Sequence, residues 1–154
     1  MLLDKTILIH APATRVFEWL DPSRMPLWDR SLVRAAPRDA SPLHAGSVID
    51  LVSRALGLRF ESATEATRVE DGRVYAWRQV DGDFEAHQGA YVLEPDGDGT
   101  RLRLLADVEL PFVLPRLATE AEVQRALSRD ADEALFRLKD LVEAQGGGRP
   151  TGAS

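Results

Sequence analysis

Three Asp-Gly pairs, at residues 71–72, 81–82 and 96–97, divide residues 58–110 into four runs that each have the character of a β-strand. A two-residue Asp-Gly link between alternating runs predicts a β-hairpin, because its tight turn places both central residues at positive φ. Consecutive hairpins form an antiparallel meander with one face on the core and the other in water. The spacing therefore predicts a four-stranded antiparallel ribbon.

Two-residue loops at the first two pairs define the register of this ribbon. Glu65 then lies opposite Arg78, and Arg78 opposite Glu85, so that opposite charges meet on the polar face. The apolar face mixes aromatic with small or neutral polar residues: Phe60, Ser62, Thr64, Ala66, Tyr75, Trp77, Gln79, Phe84, Ala86, Gln88, Ala90 and Val92. Arg68 falls beside Tyr75 on the same face. A three-residue turn with a bulge at either link would move the affected strand by one residue and exchange its faces.

The segments before the ribbon add strands and short helices. Residues 4–10 read as a first strand, and two short helical segments follow, the second ending near Trp28. Residues 31–36 and 47–53 read as two further strands. The third Asp-Gly link is longer, and pairing Val92 with Leu102 across it gives the last strand its own apolar face. That face consists of Leu102, Leu104, Ala106 and Val108.

A long amphipathic stretch at 117–145 predicts a C-terminal helix. Its apolar residues recur with a period of 3.6; they are Leu127, Ala131, Ala134, Leu135, Leu138, Leu141 and Val142. A Gly-Gly-Gly run from Gly146 ends the helix, and residues 146–154 are expected to form a disordered tail. We expect residues 1–145 to be one α+β domain.

Composition narrows the classes of function. The 154 residues carry a net charge of -6, which disfavours binding to nucleic acid or to an anionic membrane. The absence of cysteine excludes disulfides, thiolate nucleophiles and cysteine-ligated metals. No apolar run reaches the roughly 18 residues of a membrane span, and the N-terminus lacks the features of a secretion signal. We expect a cytoplasmic protein without a membrane span or a nucleic-acid partner, as a monomer or homodimer.

A search for catalytic and metal-binding patterns finds little. The register places His87 on the polar face opposite Asp107, which favours a solvated cross-strand pair over a general base. His10 and His44 are expected at the surface. Residues 94–99 resemble the start of a calcium loop, but position 12 is Leu105 where a Glu is required. Neither a serine-nucleophile elbow nor a phosphate or dinucleotide loop occurs, so we expect no metal and no cofactor.

The order of strand, helix pair, strands and long helix resembles the START-like, or helix-grip, superfamily, whose nearest branch is the polyketide cyclase/dehydrase and lipid-transport group (SRPBCC). The likeness begins with residues Ile7 to Phe17, which contain Ala11-Pro12 and Val16-Phe17. It continues with Pro26-Leu27-Trp28 after the helical segments. Three central strands complete it, at Val74 to Arg78, Gly89 to Pro95 and Asp98 to Leu102. The resemblance spans residues 4 to about 145. It implies a curved antiparallel sheet of about seven strands in β-α-α-β6-α order, wrapped around the C-terminal helix.

The resemblance further implies a cavity between sheet and helix that holds a small hydrophobic ligand such as a lipid, quinone or polyketide-like metabolite. A filled aromatic core is the alternative, as is a polyketide cyclase/dehydratase-type enzyme that acts in the same cavity, in which Arg68 and Tyr75 would act as hydrogen-bond donors. Trp28 is expected to pack in the core rather than border the cavity mouth, and Asp50 and Arg54 to lie on the outer face. The candidate ligand-binding residues are Phe60, Thr64, Arg68, Tyr75, Trp77, Gln79, Phe84, Gln88, Leu104 and Leu135.

Overall fold

A computed structural model describes residues 1–111 and 118–147. Seven strands are present: β1 (Leu2–Ile9), β2 (Leu32–Pro37), β3 (Val48–Ala55), β4 (Leu58–Glu70), β5 (Val74–Gly82), β6 (Ala86–Asp96) and β7 (Gly99–Glu109). The helices are α1 (Ala13–Glu18), a 3₁₀ turn (Met25–Leu27) and α2 (Glu120–Gly147). The predicted α+β order is confirmed, and the second helical segment is only a single 3₁₀ turn.

The strands form one antiparallel sheet in the order β1-β7-β6-β5-β4-β3-β2. The register shifts once along β2 and twice along β4, and such bulges bend a strand and increase its twist. The sheet therefore curls, and its concave face packs on α2. Lys5 Nζ donates to Ser128 Oγ at 2.6 Å and Lys139 Nζ donates to the Leu8 carbonyl at 2.8 Å, which fixes α2 along β1.

The β4–β5 turn differs from the two-residue prediction. Glu70 pairs with Val74, so the turn has three residues, and among them only Gly72 has positive φ, at 72°. Asp71 tolerates the ordinary negative φ that this longer turn requires of it. A bulge at Thr67 then restores the register, so Glu65 still pairs with Arg78, whose Nη2 lies 3.3 Å from Glu65 Oε1. The extra residue in the turn and the extra residue in the bulge cancel each other. The predicted ion pair between Glu65 and Arg78 on the outer face is therefore confirmed.

The β5–β6 link departs further from the prediction. Trp77 pairs with Gly89 and Arg78 with Gln88, whereas two-residue loop geometry predicts Ala86 and Glu85 as their partners. Beyond this point the two strands separate. The end of β5 remains paired with β4, whereas Glu85 N donates to the carbonyl of Glu109, the last residue of β7, at 2.9 Å. The register of β6 is thus offset by three residues. An odd offset exchanges the two faces of a strand.

This exchange does not continue into β7. Tyr91 pairs with Leu104 and Leu93 with Leu102, one residue away from the predicted β6–β7 register. Both registers of β6 differ from the prediction by an odd number of residues, so the second difference restores the predicted faces in β7. Leu102, Leu104 and Ala106 are therefore buried on the concave face as predicted. Ala86, Gln88, Ala90 and Val92 are the predicted apolar-face residues that instead belong to the outward-facing set of β6.

Helix α2 begins with a capping box. Thr119 Oγ1 accepts from Glu122 N, and Glu122 Oε2 accepts from Thr119 N, both at 3.1 Å, which satisfies two N–H groups at the helix start. The helix continues through Gly147, so the first two residues of the predicted tail are helical. Residue 117, the predicted helix start, and residues 148–154, the rest of the predicted tail, lie outside the described residues.

A fully enclosed core lies where the C-terminal half of α2 meets β1, β7 and α1. Five apolar side chains of these four elements are completely buried: Ile9, Val16, Leu102, Leu138 and Val142. Across residues 1–111 and 118–147, no helix has the length and apolarity needed to cross a membrane.

Candidate functional site

A cavity of about 160 Å³ lies between the concave face of the sheet and the N-terminal and middle turns of α2. The sheet supplies side chains from β3 to β7, and the segment after the 3₁₀ turn closes one side. Arg54, which is exposed, and Ser53 and Asp130, which are half-buried, border the cavity and mark its opening to solvent. An apolar enclosure with a few polar groups at its border is the usual form of a small-molecule site.

Helix α2 leaves room for this cavity through small side chains. Leu127, Ala131, Ala134 and Leu135 face the sheet across the open space. The two alanines lie one turn apart on the helix face that meets the sheet, so the helix approaches the sheet without filling the gap. These four positions belong to the apolar face of α2 that the sequence predicts. That face therefore forms a wall of the cavity here and packs into the core nearer the C-terminus of the helix.

Three aromatic rings line the sheet side of the cavity. The ring centroids of Tyr75 and Trp77 are 5.8 Å apart, those of Trp77 and Tyr91 5.2 Å, and those of Tyr75 and Tyr91 6.4 Å. Gly89, opposite Trp77, makes this arrangement possible, because a Cβ there would lie 2.8 Å from the indole ring and 2.4 Å from the Leu105 carbonyl oxygen. The indole can lie against β6 because that position carries no side chain.

His87 also lines the cavity, and its prediction as an outward-facing residue paired with Asp107 is wrong. It pairs with Val108 because the β6 register is offset. Its ring packs 5.1 Å from Phe84 and 6.2 Å from Trp77, and its buried Nδ1 has no hydrogen-bond partner among the described residues. Burial lowers the pKa of His87 to about 4, so the imidazole is neutral at physiological pH.

Two carboxyl groups border the same cavity at the end near the 3₁₀ turn. Asp29 Oδ1 accepts from Ser31 N at 3.0 Å and from Ser31 Oγ at 2.6 Å. Burial raises the pKa of Asp29 against the opposing effect of these two hydrogen bonds, and the negative charge of Asp130 adds to the rise. Burial likewise raises the pKa of Asp130. Both residues escaped the sequence analysis, because nothing in their local pattern distinguishes them from surface aspartates.

Both cavity tyrosines hold their protons firmly. Burial raises the pKa of Tyr75, and the charge of Asp21 adds to the effect. Burial also raises the pKa of Tyr91, with further contributions from Asp29 and Tyr75. The phenols are therefore neutral hydrogen-bonding groups.

Six of the ten candidate ligand-binding residues line the cavity: Thr64, Tyr75, Trp77, Phe84, Leu104 and Leu135. Phe60 and Gln79 lie just outside this lining. Phe60 is buried and stacks on Phe84 with ring centroids 5.0 Å apart. Gln79 bridges the separated strands, donating from Nε2 to the Phe84 carbonyl at 2.7 Å. Contact between any of these residues and a ligand stays a prediction.

The predicted inward positions of Arg68 and Gln88 are wrong. The bulge at Thr67 turns Arg68 outward, where it is exposed and forms an ion pair with Glu70. Gln88 pairs with Arg78 on the outer face and is exposed, because the β6 register is offset by an odd number of residues. Neither side chain can contact a molecule inside the cavity.

Three further predictions concern packing and charge. Trp28 is completely buried and donates from Nε1 to the Trp19 carbonyl at 2.8 Å, as expected for a packing residue, while its ring also lines the cavity. Asp50 is exposed and pairs with Arg38 at 2.9 Å, as predicted for the outer face. Arg54, predicted to lie on the same face, instead borders the cavity at its opening. Within the described residues, no three His, Cys, Asp or Glu side chains are grouped to hold a metal ion.

Comparisons with known proteins agree with this architecture. The sequence model of a family described as "Polyketide cyclase / dehydrase and lipid transport" matches residues 2–143. No curated protein matches the sequence.

Several solved structures share the fold. TTHA0849 from Thermus thermophilus is 22% identical, with a TM-score of 0.80 over 94% of this chain and 99% of that chain. The Zhui aromatase/cyclase from Streptomyces sp. R1128 is 18% identical, with a TM-score of 0.78 over 100% of this chain and 99% of that chain. A START superfamily protein from Mycobacterium smegmatis is 18% identical, with a TM-score of 0.75 over 94% and 98%. At such identities the likeness shows the fold alone.

Proposed function

Because the chain belongs to the polyketide cyclase/dehydrase and lipid transport family and has its helix-grip fold, we propose that it binds a small aromatic or hydrophobic metabolite between the sheet and α2. The observation that carries this proposal is the cavity of about 160 Å³, lined by the rings of Tyr75, Trp77 and Tyr91. Apolar walls favour an apolar ligand because both release water on contact.

The volume limits the part of the ligand that fits inside. An engineered apolar cavity of about 150 Å³ in another protein holds one benzene molecule, whereas drug-sized ligands occupy pockets of roughly 300–1,000 Å³. The cavity of about 160 Å³ therefore accepts one aromatic ring without rearrangement. A longer metabolite would extend through the opening beside Arg54 and Asp130.

Apolar contact alone gives modest affinity. Burial of about 150 Å² of ring surface at about 25 cal/mol per Å² contributes about 4 kcal/mol. This corresponds to a Kd of about 1 mM before any cost of association. A tighter complex therefore needs hydrogen bonds from the polar groups that border the cavity.

Cavity filling tests the proposal. Toluene, a single ring, should bind saturably to the wild-type protein in an NMR titration. Ala131→Leu, which places a larger side chain into the cavity, should weaken toluene binding about tenfold or more because ring and side chain compete for one space. Ala144→Leu is the matched control, since Ala144 lies on the same helix but is exposed.

The control variant should bind toluene like the wild type. Saturable binding that survives Ala131→Leu, or no binding of toluene at all, would contradict the proposal. Thermal unfolding of both variants distinguishes loss of the cavity from loss of the fold.

His87 supports a second candidate function, a cyclase or dehydratase that acts in the same cavity. A neutral imidazole that lines an apolar site can take or give a proton when a bound substrate lies within hydrogen-bonding reach. Incubation with 4-hydroxy-4-phenylbutan-2-one tests this, because its dehydration yields a conjugated enone and water and is followed by ultraviolet absorbance. Faster dehydration than in buffer, lost in His87→Gln, would favour the enzyme; no acceleration would leave binding alone.

A further inference from the structure

Three oxygen-bearing side chains lie at one end of the cavity. Tyr75 and Tyr91 pair directly across β5 and β6, with ring centroids 6.4 Å apart. Asp29 enters from the segment after the 3₁₀ turn, beside Trp28, whose ring meets Tyr91 edge-on at 6.1 Å. All three line the cavity.

The two tyrosine hydroxyls are available to a ligand. The Nε1 of neighbouring Trp28 is satisfied by the Trp19 carbonyl. In contrast, neither tyrosine hydroxyl takes part in a hydrogen bond within residues 1–111 and 118–147, and neither belongs to the fully buried polar atoms without a partner in that part of the chain. A phenol hydroxyl that borders a cavity without a protein partner can both donate to and accept from a molecule in that cavity. A ligand oxygen would supply the partner that the protein does not.

Asp29 uses one of its two carboxyl oxygens for hydrogen bonds within the protein, and the residue borders the cavity. Oδ1 already accepts two hydrogen bonds from Ser31. Burial and the neighbouring Asp130 both raise the pKa of Asp29 and favour its neutral acid. A proton on the acid belongs on Oδ2, since Oδ1 is occupied as an acceptor. In this form Asp29 is a hydrogen-bond donor, like the two phenols.

We propose that Asp29, Tyr75 and Tyr91 form an oxygen-binding subsite, which recognises the carbonyl or phenolic oxygen of an aromatic ligand whose ring occupies the apolar part of the cavity. This inference rests on the proposed function and adds the chemical class of the ligand. Donors held in a site that excludes water bind a ligand oxygen more strongly than they would in solvent. The ligand is thus an aryl ketone or phenol rather than a hydrocarbon or an amine.

Three single-ring probes of similar size separate these classes: acetophenone, which offers a carbonyl, ethylbenzene, which offers no polar atom, and benzylamine, which is a cation at neutral pH. We expect acetophenone to bind about tenfold more tightly than ethylbenzene, since one well-formed hydrogen bond to a buried donor has about this effect. Benzylamine should bind most weakly. Isothermal titration calorimetry of the full chain at pH 7 measures all three.

Variants identify the groups responsible. Tyr91→Phe and Asp29→Leu should lower acetophenone affinity about tenfold, toward the value for ethylbenzene. Asp29→Asn should retain acetophenone affinity within about threefold, because the amide keeps an acceptor for Ser31 and a donor for the ligand. Asp50→Asn, an exposed aspartate of β3, is the matched control and should change none of the affinities.

The outcomes separate this inference from the proposed function. Equal affinities for acetophenone and ethylbenzene would overturn the oxygen subsite while supporting the cavity as a binding site. Tightest binding of benzylamine, lost in Asp29→Asn, would overturn it in favour of an ionised Asp29. Binding of none of the three probes would overturn both proposals. Any variant that fails to bind is first checked for cooperative unfolding, and Tyr91→Phe then serves where Asp29→Leu does not fold.

Discussion

Helix α2 meets the sheet in two different ways along its length. Its C-terminal half places Leu138 and Val142 into a fully enclosed core with Val16 of α1. Its N-terminal and middle turns place Ala131 and Leu135 beside the cavity. Because a curved sheet cannot follow a straight helix over its whole length, contact at one end leaves space at the other. We call these regions the closed end and the open end.

The two ends also differ in their chemistry. The closed end is mainly apolar: Thr100 Oγ1 donates to the Ala11 carbonyl at 2.7 Å, and the buried Nε of Arg15 has no partner within the described residues. The open end collects His87, Asp29 and the two tyrosines, and the buried Nδ1 of His87 has no hydrogen-bond partner within the described part of the chain. Unpaired polar groups lower stability. The comparison indicates that the closed end packs without a gap, whereas the open end leaves the cavity in which we propose that a ligand binds.

The largest expected effect comes from truncating the closed end. Leu138→Ala should lower the free energy of unfolding by about 3–4 kcal/mol, as deletions in a fully packed core do. Leu135→Ala, one turn earlier, should lower it by only about 2 kcal/mol, because Leu135 already borders open space and loses fewer contacts. Urea denaturation of both variants measures the difference. A larger loss for Leu135→Ala would contradict the distinction between the two ends.

A smaller effect comes from the titration of His87 at the open end. Its folded pKa of about 4 lies below the unfolded value of about 6.5, so the neutral form stabilises the fold above pH 6.5 and this contribution is lost as pH falls toward 4. Between pH 8 and pH 5 the loss amounts to about 2 kcal/mol. His87→Gln should remove this part of the acid sensitivity.

The control for this titration is His10→Gln, which changes an exposed histidine. Urea denaturation of wild type and both variants at pH 8 and pH 5 gives the differences. His10→Gln should follow the wild type at both values. Equal acid sensitivity in His87→Gln and the wild type would contradict the burial of His87 in a neutral state.

The sequence was sufficient for the architecture and for most of the cavity wall. Alternation along β4, β5 and β7 placed Trp77 inward and Arg78 outward, and the helical period placed Leu135 and Leu138 on one face of α2. These patterns depend on burial, which selects residue type at every second or every third to fourth position. Such patterns extend over a whole strand or helix, so the predicted inward face stays correct even where the prediction of a single turn is wrong.

The sequence was insufficient for β6, where the outcome depended on a single link. The separation of β5 from β6 is stabilised by contacts between residues that are distant in sequence. For example, Asp83 in the link after β5 donates from its backbone N to the carbonyl of Glu61 in β4 at 2.8 Å. Local turn preferences cannot report such contacts. The sequence therefore predicted His87 outward and Gln88 inward, which is the reverse of the structure, and His87 was missed as a residue of the cavity.

Asp29 was missed for a different reason. Its burial follows from the way the 3₁₀ turn folds onto α2 and the sheet, which is a tertiary arrangement without a periodic signal. Asp29 is half-buried and forms no ion pair within the described residues, and only the assembled structure reveals this environment. Functional groups are often found where a local pattern and the tertiary environment disagree.

The location of a bound aromatic ring tests the central claim most directly. Intermolecular nuclear Overhauser effects between bound acetophenone and the protein should connect its ring protons to the Leu135 methyls and the Trp77 indole, and should be absent from Leu138 and Val142. Contacts with Leu138 and Val142, or with exposed Phe136 on the outer side of α2, would contradict the assignment of the open end as the ligand site.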